Sequence, residues 1–188
     1  KCFRDEDLRA DRQPEFTQID CEMSFVNQED IFKQFEGLMS RLFSKFLNRD
    51  NVKFERMTYN HAIENYGTDK PDLRYDMKIN DITDELKGKG FQLFDNNDFS
   101  CCIKVANKSE ITRKEIDSLT DWIKRPQVGA TGLLWIKNNL DSSVKSSFDK
   151  FFSEEDLKSI LNKISSEPGD IIFILSGKKK ESLTQIGS

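Results

Sequence analysis

The sequence has little cysteine, proline or histidine and no long apolar run. Its 188 residues include four cysteines, four prolines and one histidine. The cysteines show no CxxC spacing, and Cys101 and Cys102 are adjacent, which disfavours both a zinc site and a disulfide framework. No stretch approaches the roughly 18 apolar residues that span a bilayer, and the first residues lack a signal-peptide pattern. The sequence therefore predicts a soluble, cytoplasmic chain without a membrane partner, in which the thiols are buried or idle.

Charged residues of both signs are abundant and nearly balanced. The chain has 29 basic and 33 acidic side chains, with a net charge of -4. It therefore has no global basic field of the kind that indicates a nucleic-acid-binding protein, and any RNA contact must be local. The single histidine, His61, has no serine or cysteine nucleophile placed to partner it, so we expect a surface residue rather than a catalytic base.

The first part of the chain predicts a strand followed by two helices. Residues 15–26 alternate in character, which predicts a strand with an unusually polar face. Asn27, with Asp30 three residues later, predicts the capped start of a long amphipathic helix. Its apolar stripe is expected to be core and comprises Ile31, Phe32, Phe35, Leu38, Met39, Leu42, Phe43 and Phe46. A shorter helix is expected between Thr58 and Gly67, followed by a turn in "YGTDKPDLR".

From about Tyr75 onward, short elements predict alternating strands and helices. We expect a helical turn at 81–88, strands at 91–94, 99–106, 131–138 and 170–176, and helices at 112–124 and from Ser153. This alternation predicts a two-layer α/β sandwich. The strands at 91–94 and 99–106 lie too close in sequence for a helical crossover, which argues against a doubly wound fold. The closing "GKKKESLTQIGS" is polar and reads as a linker.

One long block of residues resembles a known family. The stretch "CFRDEDLRADRQPEFTQID", continuing "EMSFV", resembles motif 2 of class II aminoacyl-tRNA synthetases, specifically of the bacterial type of aspartyl-tRNA synthetase. The blocks "RMTY", "YGTDKPDLR", "TRKEID", "GATGLLWIK", "KFFSEEDL" and "PGDIIF" fit the same family in the same order. The resemblance covers nearly the whole chain and is far more specific than a single short motif.

The resemblance implies an α+β architecture of three parts. Residues 1–75 would be a partial class II catalytic domain that contains the motif 2 β-hairpin. Residues 76–178 would be the GAD insertion domain, a two-layer α/β fold of the DCoH-like type, and residues 179–188 a return linker. The chain offers no candidate for the anticodon-binding barrel, motif 1 or motif 3, so we expect an inactive fragment of a longer, homodimeric enzyme.

The resemblance also implies the chemistry of the first strand. Activation joins the carboxylate of L-aspartate to the α-phosphorus of ATP, and negative charge must be stabilised there. Arg4 would be the catalytic residue, bridging the α-phosphate and the aspartate carboxylate with its planar donor fork. Asp5 and Glu6 would bind ATP, with Mg²⁺ bridging phosphates and carboxylates, some of them outside this chain. The alternative is a strand-end ion pair of Arg4 with Asp5 or Glu6.

The second strand would complete the ligand pocket. By resemblance, Gln13 and Phe16 would bind ATP, with Phe16 stacked on the adenine. Gln18 and Asp20 share the strand face of Phe16 and would bind aspartate. On periodicity alone, Phe16 is equally a core residue, and Gln18 and Asp20 are equally exposed positions of an edge strand.

The loop between the two strands would contact tRNA. By resemblance, Asp7 and Arg9 would reach the acceptor end of tRNA(Asp); the alternative is a solvated hairpin tip. Three functions stay open on the sequence: part of an aspartate-tRNA ligase, a noncatalytic tRNA-binding module derived from a synthetase, and a structural interaction domain. The flanking coding sequence would separate them.

Overall fold

The computed structural model describes residues 1–5, 12–75 and 77–188. The chain divides into two compact units, Lys1–Arg56 and Met57–Ser188, called here the N-terminal and the C-terminal unit. Both combine helices with antiparallel strands, which confirms the α+β class. The three-part division at residues 75 and 178 stays a prediction.

The N-terminal unit contains two short strands and one long helix. Strand β1 (Cys2–Phe3) pairs antiparallel with strand β2 (Glu15–Phe16). The strand predicted over residues 15–26 is wrong beyond Phe16, since residues 17–27 contain no strand. Helix α1 (Gln28–Leu47) starts as predicted, with Asn27 and Asp30 forming a capping box. It ends at Asn48, which adopts the left-handed conformation.

The apolar stripe of α1 is not buried among the described residues, so the prediction that it forms core is wrong there. No residue of α1 is buried. Phe43 contacts Phe54 edge to face, with ring centroids 6.4 Å apart. The guanidinium of Arg56 lies 4.7 Å from the ring centroid of Phe32. Periodicity identifies which helix face is apolar, but it does not identify what covers that face.

The C-terminal unit is built on a five-stranded antiparallel sheet. Its strands, in spatial order, are β3 (Asn80–Asp81), β4 (Phe99–Val105), β7 (Ile171–Gly177), β5 (Leu134–Asn138) and β6 (Val144–Ser146). Every neighbouring pair is antiparallel, which excludes a doubly wound sheet here. The strands predicted at 99–106, 131–138 and 170–176 are confirmed as β4, β5 and β7.

Six helices of the C-terminal unit are described: α2 (Tyr59–Tyr66), α3 (Thr83–Leu86), α4 (Gln92–Asp95), α5 (Arg113–Ile123), α6 (Glu154–Lys163) and α7 (Lys179–Ile186). The predicted caps Thr58, Thr112 and Ser153 are confirmed, because each hydroxyl accepts a backbone N–H of the first turn. The strand predicted at 91–94 is wrong. The N–H groups of Phe94 and Asp95 donate to the carbonyl of Phe91 at 2.9 and 3.1 Å, closing a helical turn.

Apolar side chains cover both faces of the sheet. On one face, Cys102 and Ile174 join Leu86, Phe94 and Leu157 from helices α3, α4 and α6. On the other face, strand residues pack with helices α5 and α7, in a cluster that contains Cys101, Leu175, Ile123 and Leu183. Helices on both faces differ from the single helical layer of the expected two-layer sandwich. The second layer consists of the predicted helix α5 together with α7, which was not predicted; sequence periodicity did not show which face of the sheet α5 covers.

The closing segment, which reads as a polar linker, forms helix α7. Leu183 is buried and Ile186 packs against the same cluster, so three-residue spacing places both on the inner face. The assignment of residues 179–188 as a return connection stays a prediction. None of the helices in the described ranges combines the length and the apolar character that a membrane crossing requires.

Candidate functional site

The two strands of the N-terminal unit hold the predicted site residues in a fixed register. Cys2 lies opposite Phe16, and Phe3 lies opposite Glu15. The backbone N–H of Arg4 donates to the carbonyl of Pro14 at 2.9 Å, which extends the pairing by one position. The predicted loop residues Glu6, Asp7 and Arg9 fall outside the described residues.

Four side chains meet on one side of this strand pair, and we call them the hairpin face: Cys2, Arg4, Phe16 and Gln18. The backbone hydrogen bond of Arg4 extends β1 far enough for alternation to place Arg4 on the side of Cys2, and a hydrogen bond from Cys2 brings Gln18 to the same side. The guanidinium of Arg4 lies over the Phe16 ring, 4.9 Å from its centroid. The Cys2 thiol donates to Oε1 of Gln18 at 3.5 Å. The structure therefore brings together three predicted site residues, Arg4, Phe16 and Gln18.

Cys2 is the member of the hairpin face that sequence reasoning missed. It stands two positions before Arg4, so alternation along the strand was the available signal. Its side chain is partly buried. It adds a weak donor that points toward the amide oxygen of Gln18.

The charge of Arg4 is not neutralised by a described neighbour. Arg4 is exposed, and within residues 1–5 and 12–56 it forms no ion pair. The alternative of an ion pair with Asp5 is therefore not observed, while Glu6 lies outside the description. Lys1, by contrast, pairs with Glu15. The Arg4 guanidinium is consequently available to an anionic ligand.

The other predicted site residues are exposed and lie apart from this group. Asp5, Gln13 and Asp20 are all exposed. In the described part of the N-terminal unit, neither Gln13 nor Asp20 forms a hydrogen bond with the hairpin face. The polar face predicted along residues 16–20 therefore contacts the opposite strand through Gln18 but not through Asp20.

The hairpin face offers a cation, a flat ring and an amide within one small surface. A guanidinium binds carboxylate or phosphate oxygens through paired donors. An aromatic ring accepts a stacked planar group, and an amide both donates and accepts. Such a set suits a ligand that has an anionic part and a planar ring. Over the described ranges, no three histidine, cysteine or acidic side chains converge as a metal site would require.

The block "YGTDKPDLR" forms the predicted turn and contains a tight ion pair. The Asp72 carboxylate accepts from Nε of Arg74 at 2.8 Å and from the Arg74 backbone N–H at 3.0 Å. These hydrogen bonds from Arg74 lower the pKa of Asp72 to about 2. This pair fixes the turn, and nothing in its geometry indicates catalysis. His61 is exposed, as predicted, and lies beside Asn65.

The C-terminal unit contains an apolar groove of about 630 Å³ on the sheet face that carries α5 and α7. Its walls include Ile103, Phe173, Leu119, Trp122 and Ile186. The charged residues at the groove, Lys108, Glu110 and Glu115, do not form a catalytic set; Glu115 caps α5 by accepting from Thr112. The groove therefore lacks the chemistry of the hairpin face.

Comparison with known proteins gives one consistent result. Residues 1–180 match the family described as tRNA synthetases class II (D, K and N). The chain is 49% identical over 188 residues to "Aspartate--tRNA ligase" of Flavobacterium psychrophilum, covering 100% of this chain and 32% of that protein. It is 52% identical over 178 residues to the proteins of the same name from Parabacteroides distasonis and Porphyromonas gingivalis, covering 94% of this chain and 30% of each. The chain spans about a third of the length of the curated relatives that it matches.

Proposed function

This chain belongs to the class II tRNA synthetases (D, K and N), and from this we propose that it is part of an aspartate-tRNA ligase. Such an enzyme activates L-aspartate with ATP to aspartyl-adenylate and transfers the aspartyl group to tRNA(Asp). The observation that carries the proposal is the identity of 49–52% to proteins named as this ligase, extending over 94–100% of the chain. A noncatalytic or purely structural module would not need to keep so much of the sequence.

Arg4 is the proposed catalytic residue. A carboxylate oxygen of aspartate attacks the α-phosphorus of ATP, and the bond from that phosphorus to the pyrophosphate oxygen breaks. Negative charge accumulates on the oxygens around phosphorus during this exchange. The exposed Arg4 guanidinium, which has no described ion-pair partner, can donate to a carboxylate and a phosphate at once. It therefore aligns the two reactants and stabilises the charge that develops between them.

Phe16 and Gln18 of the hairpin face are the proposed contacts for ATP and aspartate, respectively. Phe16 offers a ring for the adenine, and Gln18 offers an amide to aspartate. The hydrogen bond from Cys2 to Oε1 of Gln18 leaves the Gln18 N–H groups free as donors, which suits a carboxylate. Asp5, Glu6 and Gln13 are proposed for ATP and Asp20 for aspartate on the resemblance alone.

Magnesium is implied by the family, yet the described residues do not supply a complete site. Asp5 is the described carboxylate nearest in sequence to Arg4, and no cluster of three ligating side chains forms in those ranges. A magnesium ion carried on the ATP phosphates supplies charge neutralisation when bound. The roles proposed for Arg4, Phe16 and Gln18 do not depend on it.

The rest of the proposal concerns tRNA and architecture. Asp7 and Arg9 would contact the tRNA acceptor end, where single-stranded bases can be read by exposed side chains. Residues 1–75 would belong to the catalytic domain, residues 76–178 to a GAD-type insertion and residues 179–188 to the connection back. The full-length protein would act as a cytoplasmic homodimer.

The test is amino-acid-dependent ATP–pyrophosphate exchange by the full-length protein. Aspartate, asparagine and lysine are supplied separately, since the matching family covers all three specificities. We expect exchange with aspartate only, and none from the 188-residue chain alone. Exchange driven by asparagine or lysine instead of aspartate, or none at all, would refute the proposed function.

A further inference from the structure

The contact between Arg4 and Phe16 links two residues with separate proposed ligands. The guanidinium lies over the ring, 4.9 Å from its centroid, within the roughly 6 Å over which a cation is attracted to an aromatic face. The contact therefore couples the ring proposed for adenine to the guanidinium proposed for the aspartate carboxylate.

The Phe16 ring is also the contact that restrains the Arg4 side chain. Within residues 1–5 and 12–56, the Arg4 side chain forms neither an ion pair nor a hydrogen bond with another side chain. An arginine side chain that lacks such contacts has many rotamers, and each ligand that it binds must order it. The ring restricts those rotamers in advance.

Backbone pairing fixes the relative positions of the two side chains. The hydrogen bond from the Arg4 N–H to Pro14 and the pairing of Cys2 with Phe16 place Arg4 and Phe16 diagonally across the strands. Diagonal neighbours on one face are within reach of long and aromatic side chains. A ring has two faces, so a guanidinium on one face is compatible with a planar group stacked on the other.

From these contacts we infer that Phe16 is a positioning residue for Arg4 and strengthens aspartate binding without touching aspartate. The inference rests on the proposed function, in which Arg4 binds the aspartate carboxylate. It assigns the ring a second role beside stacking on adenine: one face holds the guanidinium in place before either ligand arrives.

The experiment measures aspartate binding to the full-length protein by calorimetry, with no nucleotide present. Phe16→Leu removes the aromatic face but keeps an apolar side chain, and we expect aspartate binding to weaken by about 2- to 5-fold, the range of an exposed cation–π contact. Phe16→Tyr keeps the ring face and should bind aspartate as the wild type does. Phe3→Leu is the matched control, because Phe3 is 71% exposed and alternation places it on the opposite side of the strand pair.

Repeating the measurement in an Arg4→Ala variant shows whether the effect of Phe16 on aspartate binding acts through Arg4. With Arg4→Ala already present, Phe16→Leu should cause no further loss of aspartate binding, since the ring then has nothing to position. Unchanged aspartate binding in Phe16→Leu, or an equal loss with and without Arg4, overturns the inference. If Arg4→Ala alone leaves aspartate binding unchanged, the proposed role of Arg4 fails, and the inference fails with it.

Discussion

Phe94 is the residue whose truncation should damage the C-terminal unit most clearly. It is fully buried, and its ring lies 5.1 Å from Phe91, 5.3 Å from Phe148 and 5.9 Å from Phe152, each time edge to face. Phe94→Ala leaves a cavity among rings that α4 and the 148–152 turn hold in place. A buried Phe→Ala change costs about 3–5 kcal/mol of unfolding free energy. Phe151 offers a matched control, because it is 46% exposed although it stacks on Phe91.

Urea unfolding followed by tryptophan fluorescence provides the assay. Both tryptophans, Trp122 and Trp135, belong to the C-terminal unit, so the signal reports on that unit alone. With a slope of about 2 kcal/mol per molar urea, the midpoint should fall by about 1.5–2.5 M for Phe94→Ala. Phe151→Ala should lower it by only about 0.4–0.8 M, since that ring is about half buried and its loss leaves no enclosed cavity. Equal shifts for the two variants would refute the proposed packing of the cluster.

Two further predictions concern the same unit, and a third concerns the cysteines of both units. Gly67→Ala should lower the free energy of unfolding, measured in urea, by about 1–3 kcal/mol or more. Gly67 has a φ of 71°, and a new Cβ there would overlap the carbonyl oxygen of Leu183. Gly88→Ala is its control, since Gly88 also has positive φ but open space around it; an equal loss would show that the contact with α7 is unimportant. The hydrogen bonds from Lys89 and Ser153 lower the pKa of Asp156 from 3.8 to about 2, so the stability that they confer is complete above about pH 4 and disappears as pH falls toward 2. The difference in stability between wild type and Asp156→Asn should therefore shrink over that interval, and a constant difference would contradict the assignment. In the native protein two thiols, Cys2 and Cys21, should react with Ellman's reagent, and all four should react after unfolding. The reason is that burial raises the pKa of Cys101 to about 12 and that of Cys102 further. Four fast-reacting thiols in the native state would contradict the described core.

Helix starts were the features that the sequence predicted best. Asn27, Thr112 and Ser153 each form a capping box with an acidic residue three positions later. These signals involve only neighbouring residues, so no knowledge of the tertiary structure is needed to recognise them. The long strands β4 and β7 were also predictable, because each has a run of apolar residues that suits a strand buried on both faces.

The wrong secondary-structure predictions fall on segments whose structure depends on tertiary contacts more than on the local sequence pattern. Four residues such as "FQLF" fit a strand or one helical turn equally well, and packing of Phe94 under the sheet selects the turn. Helix α7 begins among three lysines, which masks the inner face formed by Leu183 and Ile186. Strands β3 and β6 are two and three residues long, too short to show a period.

The candidate site was predictable in part for a different reason. Arg4, Phe16 and Gln18 were expected together from the resemblance, and antiparallel pairing brings them to one face. Gln13 is three positions from Phe16, so alternation places it on the opposite face, and Asp20 lies beyond the end of β2. Cys2 has no charge and only a weak hydrogen-bond donor, so its residue type does not indicate a ligand site, although its position opposite Phe16 makes it part of the same surface.

The most direct test of the account is Arg4→Ala in the full-length protein, measured by aspartate-dependent ATP–pyrophosphate exchange. Loss of a donor to the developing charge should reduce the rate by about 100- to 1,000-fold. Arg113→Ala serves as the control, because that side chain is 95% exposed on α5, and its rate should stay at the wild-type value. An Arg4→Ala enzyme that exchanges as fast as the Arg113→Ala enzyme would contradict the central claim that Arg4 aligns aspartate with ATP.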